Sequence, residues 1–195
     1  MHIMKKIVFL ILTAILITSC GQEAKFDFKF SNKEQVISCS GNNNALLNEA
    51  LYSFENDLYT KYDSINNSNV KAYGAFIYRG MDGSAKYESI MTSNTYPIVK
   101  MLIEENILIK DKAPSHLNYD HPAVQCIVDN INDEELRIAI KALVDSKTMN
   151  PKLFTSRFRN FGRNADRDRY LALFIGLEGY YQQIVNIMPQ DLPTY

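Results

Sequence analysis

The 195-residue chain has no tryptophan, three cysteines, six prolines and eight glycines, and its charges nearly cancel. So little glycine and proline excludes collagen-like and low-complexity chains. Three cysteines cannot build the dense disulfide framework of a small secreted scaffold. Lysine and arginine total 21 against 22 aspartates and glutamates, a net charge of -1. There is no surplus of positive charge to hold a phosphate backbone, so nucleic acid is not an expected partner. A Gly-rich phosphate loop, a Gly-x-Ser-x-Gly, a Cys-x-x-Cys and a His-Glu-x-x-His are all missing, and neither a cofactor nor a bound metal is expected. What is present, 46% hydrophobic residues with 12 tyrosines and 10 phenylalanines, suffices for one globular core.

The N-terminus carries an address. Lys5 and Lys6 precede a run from Ile7 to Ile17, apolar apart from Thr13, and Thr18, Ser19 and Cys20 follow. The run is about half of the ~20 residues that a membrane-crossing helix needs, so residues 1–19 read as a signal peptide, not as a permanent span. Ile17-Thr18-Ser19-Cys20 resembles the lipobox of bacterial lipoproteins, an aliphatic residue and two small residues before a cysteine. The resemblance covers these residues alone. It implies that Cys20 receives a diacylglycerol thioether, that the chain is cut between Ser19 and Cys20, and that the new amino group is acylated, for example by palmitate. Gly21, in place of aspartate, implies sorting to an outer membrane. A plain secretory signal with an incidental cysteine is the alternative. Each buried methylene contributes about 0.8 kcal/mol, so three acyl chains anchor without help from the fold. Losing Lys5 and Lys6 leaves 19 basic against 22 acidic residues, a balance of -3. Membrane contact is then expected through the lipid, with residues 20–25 as tether, and not through a basic face.

Cys39 and Cys126 remain, and outside the cytosol they are candidates for one disulfide. A loop of that length corresponds to about 4–5 kcal/mol in the chain-entropy model. Cys126, within Val124-Gln125-Cys126-Ile127-Val128, equally suits a free core thiol. Both readings stay open at this level.

Residues 26–195 read as a single, mainly all-α domain. Phe26-Asp27-Phe28-Lys29-Phe30 alternates as a strand does, and Gln35 to Cys39 could pair with it in a short β-hairpin. From Leu46 the apolar residues Leu47, Ala50, Leu51, Phe54, Leu58, Tyr62 and Ile65 predict one amphipathic helix of about six turns, with Glu49, Asn56, Asp57 and Lys61 on its solvent face and Asp57 supporting Lys61. Val70 to Arg79 and Ser84 to Met91 read as two short helices about the turn Gly80-Met81-Asp82-Gly83, with a hairpin as the alternative. Thr95-Tyr96-Pro97 opens another helix. Asp120 is placed to cap the next, and Asn132-Asp133-Glu134-Glu135 starts a further one. Asn150-Pro151 begins a helix through Phe154, Phe158 and Phe161. The last runs from about Asp166 to Met188, with Ala172, Gly176 and Gly179 placed to admit a neighbouring backbone.

Three groups of residues invite a functional reading. His116, Asp120 and His121 are metal-ligating or acid–base types close in sequence, but the histidines are not at the spacing that shares a helix face, and a loop with a helix cap explains them better. Arg157, Arg159, Arg163, Arg167 and Arg169, interleaved with Phe158 and Phe161, form a basic surface suited to an acidic partner, or else pair with Asp166 and Asp168. Glu178 reads as a half-buried boundary carboxylate paired with an arginine. The expected function is a non-catalytic binding module, lipid-anchored in the bacterial envelope, that meets a protein or envelope component. The alternatives are a metal-binding protein or hydrolase centred on His116, Asp120 and His121, and an envelope immunity or inhibitor protein.

Overall fold

In the computed structural model, which describes residues 26–63, 65, 68–112, 115–150, 155, 156, 158 and 164–188, the apolar spacing after Leu46 folds as one helix, α1 (Asn44–Tyr62). Asn43 caps it by accepting the Leu46 N–H. The chain divides into two units, the second of them Phe28–Leu192. Of the first unit only Phe26 and Asp27 are described, and the fold below is that of the second.

From Leu46 to Leu58 every residue of α1 except Asn56 is buried. The solvent face expected for Glu49 and Asp57 does not exist. A helix wrapped on all sides keeps no wet stripe, so its polar side chains must be satisfied from within. Asp57 consequently turns to Thr95 and Tyr180, whose hydroxyls donate to Oδ2 at 2.6 and 2.7 Å.

The same requirement replaces the expected hairpin. Residues 26–39 contain no strand, and five of their backbone amides are taken up by α1 side chains. Lys29 and Phe30 N–H donate to the Glu49 carboxylate at 3.0 and 2.8 Å. Val36 and Ile37 N–H donate to Asn48 Oδ1 at 2.8 and 3.0 Å, and Asn48 Nδ2 returns a bond to Ile37 O. A segment whose amides are satisfied this way needs no partner strand. Cys39 at its end is bonded to Cys126, with Cα atoms 5.9 Å apart and 87 residues between them in sequence. That settles the cysteine question in favour of the disulfide.

The chain continues through α2 (Asn69–Gly80), a 3-10 turn (Tyr87–Ser89), α3 (Thr95–Glu104), α4 (Pro122–Asp129), α5 (Glu134–Asp145) and α6 (Arg169–Gly176). The last of these passes without a break into a π turn (Leu177–Tyr181) and a final α turn (Gln182–Val185). The domain is all-α, and among the described residues its one β pairing is an isolated antiparallel bridge, Leu108 with Leu117. His121, not Asp120, caps α4, its Nδ1 accepting the Ala123 N–H at 3.1 Å. Pro122, with no N–H, takes the first helical position, so the carboxylate one residue earlier is not needed. Of the helix expected from Asn150, only Thr155, Ser156 and Phe158 are described, all helical.

Gly176 and Gly179 make room for side chains and not, as expected, for a neighbouring backbone. A Cβ at Gly176 would lie 2.9 Å from Phe54 Cδ1, and one at Gly179 2.5 Å from Met81 Sδ. This lets the π turn settle onto the aromatic cluster of Phe54, Phe76 and Tyr180, whose rings stack edge-on or tilted.

Arg169 joins α6 to α1. Its Nη1 and Nη2 donate to the two oxygens of Glu55 at 2.7 and 2.8 Å, and Tyr73 adds a third bond to Oε1 at 3.0 Å. Arg169 is thereby committed to the interior, not to the open basic surface expected of it. Because Glu55 is only 5% exposed, Arg169→Met strands a buried charge. A loss of about 3–5 kcal/mol in denaturant unfolding is expected. Arg169→Lys should recover part of it, since an ammonium cannot reproduce the two-pronged geometry.

Candidate functional site

After α3 the chain reverses through Asn106, held at a φ of 58°. The bridge between Leu108 and Leu117 then closes a loop: Ile109 N–H donates to His116 O at 2.7 Å and Asn118 N–H to Ile107 O at 2.9 Å. This brings Lys112, Ser115, Tyr119 and Asp120 to one side of a cavity of about 220 Å³. The end of α5 supplies the other wall through Val144, Lys147 and Met149. Lys147 sits in the left-handed region at a φ of 57°, unusual for a long side chain. Its ammonium lies 3.6 Å from Asp120. Lys112 donates to Leu117 O at 3.3 Å and lies 5.7 Å above the Tyr119 ring.

Tyr119 reaches from this cavity into the core. Its hydroxyl lies 2.8 and 2.9 Å from the two oxygens of Glu178, a fully buried carboxyl on the π turn. The π turn shifts the Gln182 backbone N–H onto Leu177 O, and the Gln182 side-chain amide donates instead to Glu178 O. π turns of this kind are frequent at functional sites. The other end of that amide is fixed as well: Gln182 Oε1 accepts the His116 N–H at 3.1 Å and the Ser115 hydroxyl at 2.7 Å. Ser115 Oγ and Tyr119 OH are 3.1 Å apart, and Ser115 also accepts the Leu117 N–H at 3.2 Å.

Counting hydrogens along this row assigns the proton on Glu178. The His116 N–H can only donate, so Gln182 must face it with its oxygen. Ser115 must then donate to that oxygen, and has no hydrogen left for Tyr119. If Glu178 is ionised, Tyr119 donates to it, and two oxygen lone pairs confront each other between Ser115 and Tyr119. If Glu178 is protonated, it donates to Tyr119, Tyr119 donates to Ser115, and every contact in the row holds one hydrogen. The neutral acid is therefore the satisfied state. Electrostatics agree: burial pushes the Glu178 carboxyl up to about 7, while hydrogen bonds from Tyr119 and Gln182 pull it partly back. Burial, and then the neighbouring Glu178, raise the Tyr119 phenol, so it keeps its hydrogen throughout.

The sequence-derived sites fare differently. His116 is engaged through Nδ1 with Ile109 O at 2.9 Å and through Nε2 with Asn186 Oδ1 at 2.8 Å. With His121 capping α4 and Asp120 beside Lys147, the three are held by separate partners. Among the described residues no group of three or more side chains suited to a metal ion occurs. Arg167 is exposed, Arg169 is bound to Glu55, and Arg157, Arg159, Arg163 and Cys20 lie outside the described residues. Glu178 is wholly buried and its carboxyl is met by Tyr119, not by the arginine expected from its position. Lys112, Ser115, Tyr119, Lys147 and Gln182 were not anticipated. The available signal was Glu178 and Gln182 four residues apart within an otherwise apolar helix.

No protein-family model, curated protein or solved structure matches the chain.

A carboxyl that keeps its proton longer in the folded than in the unfolded protein lowers stability as pH rises between the two pKa values. Its contribution is intact below about 4.5 and lost above about 7, a change on the order of 3 kcal/mol. Glu178→Gln, which stays neutral, should be more stable than the parent at pH 8 and equal to it at pH 4.5. Urea unfolding across that range tests this. Asp57, also raised by burial against its hydrogen bonds, leaves a smaller slope of the same sign in the variant.

Proposed function

We propose that this protein is a lipid-anchored binding module of the bacterial envelope, and that the Tyr119 cavity is its recognition site. The observation that carries the reading is the cavity itself. Two ammonium groups, two hydroxyls and an apolar wall converge on a space below the ~300 Å³ at which drug-sized sites begin, so the ligand is a small molecule or a single side chain. The Tyr119 and Ser115 hydroxyls are held in place from behind by Glu178 and Gln182, and a preorganised lining of that kind favours recognition.

The compartment is supported from two directions. A Cys39–Cys126 disulfide is typical of an oxidising, extracytoplasmic setting. No helix among the described residues is long and apolar enough to cross a membrane, so an anchor would come from elsewhere. The lipobox-like Ile17-Thr18-Ser19-Cys20 supplies it, with the outer membrane as the proposed destination.

Mass spectrometry of the protein purified from bacterial membranes should find Cys20 as the first residue, carrying a diacylglycerol and an amide-linked acyl chain. Cys20→Ser should release the chain from the membrane fraction. An intact Met1 start or an unmodified Cys20 would contradict the anchor. For the cavity, ligand-observed NMR with a mixture of small envelope metabolites should give signals that disappear with Tyr119→Ala. Signals unaffected by that change would place recognition elsewhere.

A further inference from the structure

We infer that the Tyr119 cavity binds a small aliphatic monocarboxylate, and that Glu178 takes up one proton as it binds. The inference rests on the cavity being a recognition site and names its ligand class.

The charge of the lining sets the charge of the ligand. Lys112 and Lys147 face one carboxylate, Asp120, at the rim, which leaves one positive charge when Glu178 is neutral. A monoanion balances it, whereas a dianion, such as the form phosphate takes at pH 8, leaves the site negative. The Lys147–Asp120 pair is 77% and 70% exposed and so weakly held that Lys147 is available to a ligand. Lys112 spends one of its three hydrogens on Leu117 O. Val144 and Met149 offer the ligand hydrocarbon, and the cavity of about 220 Å³ limits that body to a few carbons.

The proton follows from the hydrogen count. While Glu178 is ionised, the single Tyr119 hydrogen points away from the cavity into the core. Once Glu178 carries a proton and donates to Tyr119, that hydrogen is turned towards Ser115 and the cavity, where a ligand oxygen can compete for it. An anion beside Tyr119 also disfavours a second negative charge behind it. Binding and protonation therefore help one another, each raising the other's affinity by the same factor.

The groups around Glu178 are few. Tyr119 and the Gln182 amide meet Glu178, with Lys112, Asp120 and Lys147 beyond Tyr119 on the cavity side. Against the π turn, α1 presents Phe54 and Asp57, the latter bonded to Tyr180, α2 presents Phe76, and Met81 follows just after α2. His116 and His121 are the imidazoles of the same loop, and a variant at Glu178 separates any effect of theirs from that of the carboxyl.

Isothermal titration calorimetry of the full processed protein in detergent, with butyrate as probe, tests the inference. Affinity should fall about tenfold from pH 6 to pH 8, and heats in buffers of different ionisation enthalpy should report close to one proton taken up at pH 8. Glu178→Gln should bind butyrate at pH 8 as the parent does at pH 6, with no slope between. Lys112→Gln should weaken binding at every pH, and at pH 8, where inorganic phosphate is mostly the dianion, it should bind at least tenfold more weakly than butyrate. Butyrate binding without proton uptake, a slope that persists in Glu178→Gln, or tighter binding of phosphate or of a valine-ended tripeptide would overturn it. If butyrate fails while an envelope metabolite binds in a Tyr119-dependent way, the ligand class is wrong and the recognition site stands. If neither binds, both are refuted.

Discussion

Water is shut out from nearly every face of α1, and each polar side chain the helix carries must be answered by another part of the protein. That constraint organises the fold. Asn48 and Glu49 hold the N-terminal segment, Glu55 draws in Arg169 from α6, and Asp57 gathers Thr95 of α3 and Tyr180 of the π turn. An unsatisfied buried group costs about 1–3 kcal/mol, and more when charged, so these contacts decide where elements sit as well as how firmly. The aromatic cluster supplies apolar burial, but apolar contact is non-directional. Orientation comes from the polar pairs.

The same accounting runs from the core out to the cavity. Phe54 and Met81 fill the space left by Gly176 and Gly179, and the helix there opens into a π turn. The Glu178 carboxyl meets the Tyr119 hydroxyl, with the Gln182 amide beside it, and that hydroxyl lines the cavity. The bond that satisfies Glu178 in the core thereby couples the protonation of an interior acid to the surface that a ligand would touch. The outer end of the row is a backbone N–H, which cannot reverse its role, and this gives the whole row its direction.

How much of this was legible in the sequence depends on whether a partner is near or far along the chain. The spacing of Leu46, Leu47, Leu51, Phe54 and Leu58 announces α1, and Asp133 before Glu134 announces α5, because helix period and capping are local matters. Glu49 and Asp57 were misplaced on a solvent face because their position on the helical wheel is the same whether or not another helix covers it. The Phe26–Phe30 alternation suggested a strand, but the amides there had a better acceptor in Glu49, twenty residues on. Glu178 drew notice as a carboxylate in an apolar helix, yet its partner Tyr119 is 59 residues away and no local pattern reports it. The nearby arginines suggested a salt bridge that in fact belongs to Glu55, 114 residues from Arg169. For Cys39 and Cys126, compartment and count offer a disulfide but leave a free core thiol equally open, and only the fold decides between them.

The central claim is that Glu178 is a neutral acid at the end of a directed hydrogen-bond row. Infrared difference spectroscopy of protein labelled with carbon-13 at its glutamate carboxyls tests it directly, by titrating through pH 5 to 9 and comparing the parent with Glu178→Gln. The account predicts a protonated carboxyl band that shifts with the label, persists at pH 6, disappears around pH 7 and is missing from the variant. A parent spectrum at pH 6 with no such band, and identical to that of the variant in this region, would contradict it.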